Sequence, residues 1–331
     1  MLLPLSDKRK DRNGKGMLDI LWQVVLLVGG FALLMKGADW FVEGASKLAD
    51  KFGIPQLVIG LTIAAMGTSL PEAAVSVSAA LKGSAEITIG NVLGSNILNV
   101  LIILGLTVVI RTVAVQKSTA YYEIPFTIFV TVLLVALGLF DNEVSRIDGV
   151  ILWVFMIVYL LYLLRMAKKG QALEEAAEAG ENESIFKMLL MIVVGVAMIV
   201  FGSDISVDAA TKLAQFFGMS ERLIGLTIVA LGTSLPELVT SVTAAIKNES
   251  DIAVGNVLGS NIFNMLLIIG ISSIIKPLEY NFEYNKDMFF LIIGTTLLGS
   301  FAIIYPKNKL NRAKGIIFFG LYILYMVMLF M

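Results

Sequence analysis

Two stretches lying 165 residues apart, Gly60–Thr107 and Gly225–Ser272, are identical at 29 of 48 positions. Each sets polar motifs inside apolar runs. The chain must therefore be built as two copies of one unit. The same register continues upstream, where Gly37, Asp39, Lys47 and Gly53 fall on Gly202, Asp204, Lys212 and Gly218. Ten long apolar runs are separated by short polar breaks, at approximately 18–42, 54–81, 86–110, 122–141, 147–166, 185–209, 219–246, 252–275, 287–305 and 313–331. Each is near the roughly 20 residues that a spanning helix needs. The expected fold is an all-α integral membrane protein of about ten transmembrane helices, five to each copy. Because five is odd, the second copy enters the membrane from the opposite side, which predicts inverted repeats with a binding site near the midplane.

Residues 1–17 read as a basic N-terminal tail, 18–166 as the first five-helix repeat, 167–184 as a hydrophilic linker and 185–331 as the second repeat. The first run is longer than a signal-peptide core and no small-residue cleavage site follows it, so it counts as a span. Loop Lys and Arg residues concentrate on the side of the linker, which predicts a cytoplasmic linker and extracellular termini, although the five basic residues before Met17 oppose that bias. The expected location is the cell membrane, crossed many times.

Composition narrows the chemistry. The net charge of −1 offers no basic stripe for nucleic acid. With no Cys and no His, disulfides, zinc, haem, iron–sulfur clusters and thiol or imidazole catalysis are excluded. No nucleophile with a recognisable base remains, so a carrier is expected rather than an enzyme. No cofactor is expected either. Oxygen ligands and carboxylates point to hard cations such as Na⁺, Ca²⁺, Mg²⁺ or H⁺. The lipid bilayer is the expected surrounding, and no protein partner is implied.

Each copy holds Gly-Thr-Ser-Leu-Pro-Glu within an apolar run, at 67–72 and again at 232–237. Proline lacks an N–H, and its ring clashes with the carbonyl four residues back, so Pro71 should break its helix and free the carbonyls of Ala65 to Thr68. Irregular backbone at membrane depth is tolerated where it lines a cavity. Glu72 and Glu237 have no Lys or Arg within either motif. An ionised carboxylate at that depth costs about 2.5–3.5 kcal/mol on insertion scales unless something neutralises it. They should hold metal cations or protons. The following run in each copy places Asn91, Ser95 and Asn99, and again Asn256, Ser260 and Asn264, four residues apart on one helix face. An oxygen-rich ladder would then face each carboxylate.

Plainer readings compete for several of these residues. GxxxG spacing usually marks helix packing, and Asn91, Asn96, Asn256 and Asn261 could serve as interhelical glue. Asp39 and Asp204 sit in amphipathic stretches and read as exposed or helix-end residues. Glu123, before Pro125, is a candidate proton-relay group but fits an interface better, and the acidic stretch 174–183 reads as a solvated loop.

With GTSLPE followed by GNVLGSNI, both in duplicate, the chain resembles the sodium/calcium exchangers of the cation/Ca²⁺ antiporter superfamily, especially the compact prokaryotic members. The resemblance covers nearly the whole chain. It implies an ion site built from Glu72 and Glu237, the hydroxyls of Ser69, Ser234, Ser95 and Ser260, the amides of Asn99 and Asn264, and oxygens of Thr68, Thr233, Ala65 and Ala230. It also implies that the first and sixth spans slide as a pair. Position 264 is Asn where several relatives, potassium-dependent exchangers included, carry Asp, so potassium coupling does not carry over. No large cytoplasmic regulatory loop is present. The proton/calcium branch has an amide in place of the GTS hydroxyls, which sets this chain with the sodium-using branch. Antiport of Ca²⁺ against Na⁺ is the leading expectation, with Ca²⁺/H⁺ antiport and a passive cation channel as alternatives.

Overall fold

The computed structural model describes residues 7–82, 85–174, 184–218, 230–304 and 308–330. The architecture is helical: α1 (Asp7–Phe52), α2 (Gln56–Thr68), α3 (Leu70–Lys82), α4 (Ala85–Ile110), α5 (Thr119–Asp141), α6 (Arg146–Glu174), α7 (Ile185–Phe216), α8 (Ala230–Thr233), α9 (Leu235–Ile246), α10 (Ser250–Ile275), α11 (Tyr284–Ile303) and α12 (Arg312–Phe330). Among the described residues, eight helices are long and apolar enough to cross a membrane, and α2 with α3 forms a ninth candidate bent by 47°. Part of the seventh expected run, residues 219–229, lies outside the described residues. Two of the expected segment boundaries fall inside helices. From Asp7 onward the basic tail is helical and continuous with α1, and α6 runs eight residues into the expected linker because its Ala, Lys, Gln, Leu and Glu residues are strong helix formers.

Helix ends follow the repeat. Gly53 (φ 60°) stops α1 and Gly218 (φ 80°) stops α7, both in the left-handed region that glycine enters without a Cβ penalty. Four two-residue strands close the molecule's ends: β1 (Val113–Ala114) pairs with β4 (Lys309–Leu310), and β2 (Glu143–Val144) pairs with β3 (Leu278–Glu279). Each pairing joins one copy to the other.

Helices α4 and α10 form the centre, 72% and 78% buried in their most apolar windows, against 11% for α1 and 17% for α12. Without water to drive apolar association, such helices approach through small residues. The paired helices α1 and α7 do so through Gly30, Gly37, Gly195 and Gly202. A Cβ on Gly37 would lie 2.8 Å from the Gly195 carbonyl, and one on Gly195 would lie 2.8 Å from that of Gly37. Helix α6 packs on α10, where Gly149 meets Gly270, and α12 packs on α4, where Gly315 meets Gly105. The two copies therefore form one interlocked core.

Candidate ion site

Ser69 and Ser234 occupy the two breaks, with φ, ψ of −83°, 9° and −91°, 4°. Both lie outside regular helix geometry, in the sparsely populated bridge region. The break frees less backbone than expected: the Ala65 carbonyl accepts the Ser69 N–H at 3.0 Å. The helix keeps its ladder through Thr68, and proline withholds only its own N–H, which the Gly67 carbonyl would have accepted. Each break turns the following carboxylate inward. Glu72 is 0% exposed and Glu237 1%.

The motifs of the two copies reach across to one another. Ser69 Oγ donates to Glu237 Oε1 at 2.9 Å, and Ser234 Oγ donates to Glu72 Oε1 at 3.4 Å. Ser260 Oγ approaches Glu237 Oε1 at 3.5 Å, and Ser95 lies within reach of Glu72. The Thr68 hydroxyl sits 3.0 Å from the Ala64 carbonyl and 3.1 Å from Asn256 Oδ1, while Thr233 lines a neighbouring cavity. Of Ala230 only the backbone, at the start of α8, is described. The structure thus gathers the carboxylates and serines expected from the sequence.

The asparagines divide into two kinds. Asn91 Nδ2 donates to the Glu72 carbonyl at 3.3 Å and to Ser76 Oγ at 2.9 Å, and Asn256 repeats this on the Glu237 carbonyl and Ser241 at 3.2 and 2.9 Å. These amides clamp the helix that carries each carboxylate. Asn96 and Asn261 exchange amide-to-carbonyl bonds at 3.3 and 3.1 Å across the junction of the copies. Glue is the correct reading for these four. Asn99 and Asn264 differ, because each gives its amide nitrogen to the other copy's junction asparagine, at 2.9 Å in both cases. Their Oδ1 atoms are buried without a hydrogen-bond partner, as are Glu72 Oε2 and Glu237 Oε2. A π-turn begins at each of them, Asn99–Ile103 and Asn264–Ile268. Such turns are frequent at functional sites, and the extra residue rotates the helix after the asparagine.

Four buried oxygens are thus left over, all of them acceptors. Groups this deep are normally paired, and a buried polar atom left unpaired costs about 1–3 kcal/mol. Such acceptors take a cation or a water hydrogen, and the mix of carboxylate, amide and hydroxyl oxygens is the hard-ligand chemistry of Ca²⁺ and Na⁺.

Sequence reasoning left Asp39 and Asp204 as surface residues. Asp39 Oδ1 pairs with Lys247 Nζ at 2.6 Å, and Asp204 lines a cavity of about 650 Å³ that also borders Pro71 and Thr233. Their repeat relationship was visible; their packing was not. Glu123 is buried and accepts a bond from the Tyr162 hydroxyl, away from the site.

The family described as sodium/calcium exchanger protein matches residues 22–165 and 187–331. A putative antiporter, CaxA, of Alkalimonas amylolytica is 37% identical over 94% of this chain and 99% of its own length. Sodium/calcium exchanger MaX1 of Methanosarcina acetivorans is 30% identical over 92% and 98%. Among solved structures, the sodium-calcium exchanger NCX_Mj, soaked without Na⁺ and Ca²⁺, superposes with a TM-score of 0.82 at 34% identity, over 94% of this chain and 99% of that one. This chain is a multi-pass membrane protein of the sodium/calcium exchanger family.

Proposed function

We propose that the chain exchanges Ca²⁺ for Na⁺ across the membrane by alternating access, with the ions held between the two copies. The observation that carries this reading is the set of four buried acceptors without partners, Glu72 Oε2, Glu237 Oε2, Asn99 Oδ1 and Asn264 Oδ1. Ser69, Ser234, Ser95, Ser260, Thr68 and Thr233 complete the ligand set, with the carbonyls of Ala65 and Ala230 at its ends. A carbonyl has two lone pairs, so the ladder bond at Ala65 leaves one for an ion. The sodium/calcium exchangers among the relatives support Na⁺ as the counter-ion.

In this reading the chain forms ten spans in two inverted five-helix repeats, bounded as 18–166 and 185–331 and joined by the linker 167–184. The linker lies on the cytoplasmic side of the cell membrane and the termini outside. The cavity beside Thr233 then opens to the exterior, while the opposite face is closed by α1 lying along α9. Emptying the site leaves two buried carboxylates unneutralised, which opposes reorientation without ions. That penalty couples the two fluxes.

The test is Ca²⁺ uptake into proteoliposomes driven by an outward Na⁺ gradient, compared with an outward H⁺ gradient at fixed Na⁺. Uptake with the Na⁺ gradient alone supports the proposal. Uptake with the H⁺ gradient alone would replace it with Ca²⁺/H⁺ antiport.

A further inference from the structure

The faces of this molecule differ in a way that the repeat makes interpretable. On one face α1 packs along α9. There Lys247 Nζ binds Asp39 twice, at 2.6 Å to Oδ1 and at 2.9 Å to its backbone carbonyl, and Lys36 of the same helix adds a contact at 3.2 Å to Oδ2. Seven residues further along α1, Ser46 Oγ donates to Glu249 Oε1 at 2.7 Å and itself accepts from Gln56 Nε2 at 3.2 Å. Polar contacts thus tie α1 to the turn between α9 and α10, the helices that carry Glu237, Ser260 and Asn264.

Shifting by 165 residues carries Asp39 onto Asp204, Ser46 onto Thr211, Lys247 onto Lys82 and α9 onto α3. The equivalent face is open. Helices α7 and α3 stand on opposite sides of the 650 Å³ cavity, with Asp204 and Thr211 on one wall and Leu70, Ala74 and Val75 on the other. The repeat equivalents of Asp39 and Ser46, which close one face, thus line the opening of the other.

We propose that the Asp39–Lys247 pair latches one face and that Asp204, the repeat equivalent of Asp39, latches the other in the alternate state, each holding its face shut while the other is open. This rests on the alternating-access reading above and adds the residues that set its equilibrium. Because α1 and α7 touch backbone to backbone through their glycines, they move together, and displacement of the pair that brings α7 onto α3 withdraws α1 from α9. One latch must open for the other to close. Asp39, Lys247 and Asp204 are therefore positioning residues that act through the helices bearing the ligands. A partly exposed pair contributes little absolute stability, about 0.2–1 kcal/mol, but two conformers of similar energy are shifted up to about fivefold by that amount.

The chain has no cysteine, so Thr211→Cys gives a single reporter on the cavity wall, labelled by a membrane-impermeant thiol reagent in the full-length protein. Asp39→Asn in that background should slow labelling up to about threefold, because the observed state loses its latch. Lys247→Gln should do the same, and it serves as the independent variant if Asp39→Asn does not fold. Adding Asp204→Asn to Asp39→Asn should restore the rate, since both states then lack a latch. A role of Asp39 in stability alone would not be relieved by removing a remote carboxylate. No slowing in either single variant, or no recovery in the double variant, overturns the proposal. Loss of Na⁺-driven Ca²⁺ uptake in the otherwise unmodified protein would overturn the exchange reading instead, while the labelling pattern still decides the latch.

Discussion

The hydroxyl of Ser69 in the first copy donates at 2.9 Å to Glu237 Oε1 in the second, so each half orients the other's carboxylate rather than its own. Ser234 returns the contact to Glu72 at 3.4 Å. One oxygen of each carboxylate is held by protein and the other is buried without a hydrogen-bond partner. Either half alone would hold half a site.

Neutralising either carboxylate should stop transport without unfolding the chain. In Glu72→Gln and Glu237→Gln the amide nitrogen is a donor facing a cation site. The remaining carboxylate cannot balance a divalent ion in a buried setting, where losing one partner of a charge interaction costs about 3–5 kcal/mol. Ca²⁺ uptake should fall at least about a hundredfold, measured beside the thermal unfolding of the purified protein. Near-normal uptake by either variant would remove that residue from the site.

Ser69→Ala should act on ions more than on stability. A hydrogen bond to a charged group contributes about 1.5–3 kcal/mol, so apparent Na⁺ affinity should weaken about tenfold or more. The Na⁺ dependence of exchange and the melting temperature check this together. A large drop in melting temperature with unaltered Na⁺ dependence would make Ser69 a packing residue.

The junction asparagines predict the opposite balance. Asn96→Ala removes the donor to the Asn261 carbonyl and the acceptor of the Asn264 amide, leaving buried groups unpaired at about 1–3 kcal/mol each. Lower thermal stability is expected, together with weaker Ca²⁺ affinity because Asn264 loses its anchor. Unchanged stability would contradict the role given to this junction.

Gly259→Ala tests the close approach of α10 to α2. Its Cβ would lie 2.7 Å from the Ala65 Cβ and 2.9 Å from Leu61 backbone, so the helices must part where the ligands converge. Overpacking of this kind costs about 1–3 kcal/mol. Expression and exchange should both fall, whereas Gly320→Ala, with nothing within 4 Å of its Cβ, should leave them unchanged. Equal behaviour of the two would argue against a tight contact at Gly259.

Much of this site was legible because buried charge is rare enough in an apolar chain to stand out. Glu72 and Glu237 could be read from burial cost and duplication, whereas Ser69 and Ser234 entered only through the family resemblance. The pairing of Ser69 with Glu237 could not, because spacing along a helix reports neighbours within one copy and says nothing of contacts 168 residues apart. The same limit separates Asn91 from Asn99. Both lie on the face predicted by a spacing of four, yet one clamps a helix and the other leaves an oxygen without a partner, and the π-turn that begins at Asn99 leaves no mark in hydropathy. Asp39 and Lys247 were missed for a related reason: each looks like an ordinary solvated charge until the fold brings them to 2.6 Å.

The coupling of the two ion fluxes is the centre of this account, and it is measured most directly by Ca²⁺ entry into proteoliposomes under an inside-negative potential, with and without Na⁺ inside. With Na⁺ inside, Ca²⁺ should accumulate. Without Na⁺, and with no proton gradient, net uptake should be negligible, because the emptied site holds two unneutralised carboxylates and does not reorient. Sustained potential-driven Ca²⁺ entry with no counter-ion leaving would contradict antiport and identify a channel.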